Sequence, residues 1–156
     1  MSPNRSGRRQ TQRSAVATVE LAILAPFLCF LFVVATDFAR IFYYAVTIQN
    51  CARNGAYYAA DYPNNNYLYN DIYGYVDLND AIMRDASNLS PAPTYTVYYG
   101  PTATGPFTST TKPASGYVQV TVTWTFNSIT NFPGIPSNVS LSRSAIMRIA
   151  PAMPTF

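Results

Sequence analysis

The chain has 156 residues, of which 15% are aromatic and 11% charged; beyond a tail and an anchor this leaves one small domain, and it excludes a disordered protein. Four of its ten basic residues, Arg5, Arg8, Arg9 and Arg13, precede the first apolar run, and the remainder holds six basic against seven acidic side chains. The basicity is therefore that of a tail, which excludes a nucleic-acid-binding face, and the absence of histidine excludes Ser–His and Cys–His nucleophilic pairs and imidazole-bound metals.

Residues 1–15 are predicted to be a basic, irregular leader held in the cytoplasm. From Val16 to Ala35 the chain is apolar apart from Thr18, Glu20 and Pro26. A helix of about 20 residues crosses a bilayer core of about 30 Å, so residues 16–36 are expected to be a transmembrane helix. A cleaved secretory signal is the competing reading, but the apolar run exceeds the usual signal length and contains Glu20. An ionisable group at that depth is costly and marks a functional position unless it snorkels to the interface. Cys29 falls within the apolar run and is expected to pack as a small hydrophobe.

The helical pattern continues past the apolar run. Phe38, Phe42, Ala45, Gln49, Ala52, Ala56 and Ala59 recur at spacings of four and three, which places them on one stripe. One helix is therefore predicted from Val16 to Ala60, ending near Asp61–Pro63 because proline disfavours a helical residue before it. Ala52, Gly55, Ala56, Ala59 and Ala60 would admit another element closely. Along one helix, Cys29 and Cys51 are too far apart to pair. Cys51 is either inert or a site of intermolecular bridging.

Residues 62–75 are rich in Tyr, Asn and Asp and are expected to form a loop. Leu78, Ile82, Ala86 and Leu89 share one helical face over residues 77–90, with Asp77 or Asn79 as the cap. Pro91 and Pro93 end it. Thr94–Tyr99 is strand-like, residues 100–115 form a long connection, and residues 116–126 alternate strictly between Val118, Val120, Val122, Trp124, Phe126 and polar neighbours. Residues 139–150 alternate again, with an expected slip of phase near Ala145–Ile149. The prediction is an α+β domain over residues 37–156, in which the second half of the long helix packs on a small antiparallel sheet. No nucleophile–base set, calcium loop or phosphate loop is visible, so no enzyme activity and no cofactor are expected. Asn88 and Asn138 each begin a short Asn-x-Ser pattern.

Residues 13–60 resemble the TadE-like proteins of tight-adherence (Flp-type) pilus systems. The resemblance lies in Arg13, Ala15, Val19-Glu20-Leu21, Pro26, Asp37-Phe38-Ala39-Arg40 and Asn50-Cys51-Ala52-Arg53-Asn54-Gly55-Ala56. It implies a pilin-like fold and a minor pilin or pseudopilin assisting pilus assembly in adhesion and secretion. It further implies a prepilin peptidase that cuts between Ala15 and Val16, leaving Glu20 as the fifth residue; Ala15 stands where glycine is usual. Glu20 would then set the register of assembly, and Phe38, Phe42, Ala45, Ala52, Gly55, Ala56 and Ala59 would line a helix interface. The expected partners are membrane lipid, other pilus or pseudopilin subunits and the assembly machinery. The expected location is the cytoplasmic membrane, N-terminus inside and domain outside. The alternative is a membrane-anchored binding module that holds a ligand such as a glycan through Trp124 and the tyrosines.

Overall fold

A computed structural model describes residues 6–61, 74–129 and 137–150. The chain divides into two compact units, Met1–Arg40 and Ile41–Phe156. One helix, α1 (Ser6–Ala60), runs through both. It starts ten residues before the predicted Val16, which corrects the reading of the leader as irregular throughout. Residues 6–15 hold arginines and glutamines, good helix formers, and lack proline. Extending an existing helix costs far less than nucleating one. At the other end α1 stops at Ala60, just before Asp61–Pro63, as the proline predicts.

In the first unit the apolar stretch of α1 has no inward side. Val19, Leu21, Ile23, Leu24, Phe27, Leu28 and Phe32 are all exposed. A helix apolar all round needs a hydrophobic medium rather than one packed face, and this segment is long and apolar enough to cross a membrane.

The second unit is an α+β layer pair. Its short helix α2 (Leu78–Met83) is continued by a 3-10 turn, Arg84–Ala86. Asp77 is the cap, its carboxylate accepting from the Asp80 N–H at 2.7 Å. Arg84 ties this corner together: it donates to the Gly74 carbonyl (2.7 Å), pairs with Asp80 (3.3 Å) and lies over the Tyr75 ring. The predicted loop over residues 62–75 lies mostly outside the described residues.

Strands β1 (Thr94–Gly100), β2 (Tyr117–Asn127) and β3 (Asn138–Arg148) form an antiparallel sheet in the order β1-β2-β3. The alternation read in β2 is the one observed: Val118, Val120, Val122, Trp124 and Phe126 are buried, while Tyr117, Gln119, Thr121, Thr123 and Thr125 lie on the other face. The expected slip in β3 does not occur. Pairing with β2 is continuous from Asn127↔Asn138 to Tyr117↔Arg148. Val139, Leu141, Ala145, Met147 and Ile149 keep one phase, and Ile146 simply lies exposed on the other. One exposed apolar side chain costs less than a bulge that would interrupt the ladder.

The core joins the buried face of α1 within residues 41–60 to the inner face of the sheet, with Ile82, Ala86 and Leu89 between them. Tyr44 packs against Trp124 and Phe126, ring centroids 4.8 and 5.9 Å apart. Beyond β3, the Ala150 N–H donates to the Ala60 carbonyl at 2.9 Å, satisfying an orphan group at the end of α1.

Candidate functional site

The site residues expected from the sequence all lie on α1. Val16 and Glu20 are one helical turn apart and both exposed. Residues spaced by four face the same side, about 5–6 Å apart at Cβ, so the Val16 and Glu20 side chains share one face of α1. Ala15 is within the helix. Pro26 sits inside the apolar stretch, where its missing N–H is tolerated in a membrane helix.

Where the apolar stretch ends, Arg40 Nη1 donates to Asp37 Oδ1 at 3.1 Å, and Asp37 is only 6% exposed. The spacing of three residues brings them to one face. Charge-assisted bonding of this kind compensates a carboxylate withdrawn from water. The sequence offered this pair only as part of a family motif; the i, i+3 spacing of opposite charges was the available physical signal.

The predicted stripe divides. Ala52, Gly55, Ala56 and Ala59 are buried and Ala45 is half-buried, as is Gln49. They face the domain's own sheet and α2: a Cβ placed on Gly55 would lie 2.5 Å from Ile82 Cγ1 and 3.2 Å from Val120 Cγ1. Phe38 and Phe42 do not share that burial, being 68% and 73% exposed. Alternating steps of four and three average 3.5 residues, and on a 3.6-residue helix such a series drifts by about 20° per heptad. The buried face instead includes Ile48 and Cys51, with Ile41 and Tyr44 packed at its margin. Sequence reasoning missed these because it followed the small residues.

Cys51 is fully buried, and its thiol is pushed up to about 11, first by that burial and then by the negative charge of Asp85. It packs as a hydrophobe and is not presented for intermolecular bridging. Cys29 is exposed on the apolar stretch. Asp85 is itself engaged by Asn54, whose amide donates at 2.9 Å.

Trp124 is not a ligand platform. Its ring is buried and its indole N–H donates to the Pro91 carbonyl at 2.7 Å. Lys112 is half-buried, with burial pushing its ammonium down and Asp61 partly opposing that. Among the described residues no cluster of His, Cys, Asp and Glu could hold a metal ion. A shallow recess of about 270 Å³ lies beside the β1–β2 connection, lined by Tyr99, Pro101, Pro106, Ser109 and Pro113. Its lining residues include no carboxylate, amine, imidazole or thiol.

Comparison with known proteins adds one finding. The family model for TadE-like protein matches residues 15–56. No curated protein and no solved structure matches the chain significantly. The matched segment begins at Ala15, takes in Glu20, Pro26 and the Asp37–Arg40 pair, and closes on the Gly55–Ala56 approach to the sheet.

Proposed function

From a chain whose residues 15–56 are TadE-like, we propose a single-pass membrane minor pilin or pseudopilin that assists assembly of a tight-adherence pilus, in adhesion and related secretion. It works as a structural protein, without a reaction or a cofactor. The supporting observation is where the matched segment falls: on a helix whose first part is apolar on every side and whose second part is packed into a small domain. In this reading the basic leader stays in the cytoplasm and residues 37–156 lie outside the cytoplasmic membrane. The partners are membrane lipid, other pilus or pseudopilin subunits, and the assembly machinery.

A prepilin peptidase cutting after Ala15 would leave Val16 with a free α-amine one turn from Glu20. In a low-dielectric layer attraction between amine and carboxylate exceeds that in water, whereas either ion alone is expensive to bury. A carboxylate that must find an amine, on its own chain or a neighbour, selects one axial register of subunits. Burial of Trp124 with its N–H engaged removes the main support for the alternative of a glycan-binding module.

The test is Glu20→Gln, which keeps the size and removes the charge. The variant should insert into the membrane as the parent does, since the penalty for burying a charge is gone. It should not support pilus assembly or adhesion, and mass spectrometry of the mature parent should find an N-terminus at Val16. A mature protein that keeps Met1 or begins beyond Ala35, with Glu20→Gln assembling normally, would defeat the mechanism.

A further inference from the structure

The sheet has two edges, and they are finished differently. On β1, Tyr99 exchanges both backbone hydrogen bonds with Ser109 of the connection that follows, at 2.7 and 3.2 Å. On the other side β3 is an 11-residue edge strand whose one strand neighbour among the described residues is β2. Two flanking contacts fix its bonding direction: Ser128 N–H donates to Ser137 O, and Ile149 N–H donates to Gly116 O. Antiparallel partners alternate between bonded and non-bonded pairs. The odd-numbered residues from Val139 to Met147 therefore bond to β2, and the backbone N–H and C=O groups of Ser140, Ser142, Ser144 and Ile146 point away from the sheet. A long edge of this kind is a template for a further strand.

The charges of the sheet lie on this strand alone. β1 and β2 carry none, and β3 carries Arg143 and Arg148 with no acid. Arg143 occupies the core-facing phase between buried Leu141 and Ala145 yet is itself exposed, and its Nη1 donates to the Ser142 carbonyl at 2.9 Å. It is also the central residue of Asn138–Arg148. Two copies of β3 laid edge to edge, antiparallel and fully overlapped, would place Arg143 opposite Arg143. That would be a non-bonded pair, the closer of the two kinds, and like charges directly opposite are destabilising. An in-register parallel pairing brings the same cations together. The strand thus opposes its own copy in the registers that use its whole length, while a strand with a carboxylate at the facing position meets an opposite charge.

We propose that the β3 edge, which pairs with no further strand among the described residues, is a strand-addition site for an extended acidic segment of another protein, with Arg143 leaving the Ser142 carbonyl to face a carboxylate of that segment. The inference stands apart from the pilus reading, since it rests on the sheet alone.

The test uses the full chain in detergent micelles and short peptides of alternating Thr and Val, with either Glu or Lys at the centre. Hydrogen exchange at Ser140, Ser142, Ser144 and Ile146 is followed by mass spectrometry. The Glu peptide should slow exchange there and bind with a preference on the order of tenfold over the Lys peptide. Arg143→Glu should reverse the preference, and Arg143→Gln, which keeps a polar side chain at this exposed position, should abolish it. Arg143→Val should self-associate in sedimentation. Equal protection by both peptides, protection by neither, or a parent whose β3 amides are already protected in a dimer would each overturn the proposal.

Discussion

At Cys51 the sign of a pH effect follows from burial. The thiol ordinarily titrates near 9.0 and is held near 11 in the folded domain. Between those values the unfolded chain gives up its proton while the folded one keeps it, so the unfolded state binds fewer protons and stability falls as pH rises. Below pH 9 this contribution is fully present; above about 11 it is lost. The loss is on the order of 1–3 kcal/mol. Thermal melts at pH 8 and pH 10.5, followed by the fluorescence of the single tryptophan, should show a larger drop for the parent than for Cys51→Ala. Identical slopes would mean that the thiol is hydrated. At Gly55 the limit is space: any side chain meets buried Ile82. Gly55→Ala gains helix propensity of about 1 kcal/mol but overpacks the contact by about 1–3 kcal/mol, so a modest net destabilisation is expected. Ile82→Ala should cost about 2–5 kcal/mol in the parent and measurably less in the Gly55→Ala background, because the two sites couple through one contact. Additive denaturant midpoints would refute that.

At the scale of elements, what the sequence made legible depended on how strict its period was. In β2 a valine, tryptophan or phenylalanine at every second position has one sensible arrangement, and the burial follows it from Val118 to Phe126. In β3 the apolar set is thinner, with Arg143 on the core phase and Ile146 off it. The pattern alone suggested a slip, and only the ladder with β2 could decide against one. On α1 the small residues Ala52, Gly55, Ala56 and Ala59 lie buried, whereas a stripe that runs back to Phe42 and Phe38 follows a period slightly too short for the helix. These two outcomes separate experimentally. Ala52→Leu should destabilise the domain by about 1–3 kcal/mol through overpacking, whereas Phe42→Ser, at an exposed site, should change its unfolding free energy by less than about 0.5 kcal/mol. An Ala52→Leu variant as stable as the parent would show that this face of α1 is not packed. The Tyr44 contacts with Trp124 and Phe126 were beyond sequence reasoning, because they bring together rings some 80 residues apart in the chain.

For the whole molecule, the four arginines before the apolar run and their absence of neighbouring acids predict one orientation. Protease added to spheroplasts should digest the domain and spare the leader; a protected domain would reverse the topology. The hydrogen bond from Ala150 to Ala60 adds a constraint of timing. Synthesis delivers α1 first and β3 last, yet the core closes only when Leu141, Ala145 and Ile149 reach it. Contacts of such long sequence separation form slowly. The core therefore stays open until β3 has been made, and in the topology proposed above the domain would close only after its last strand had crossed the membrane.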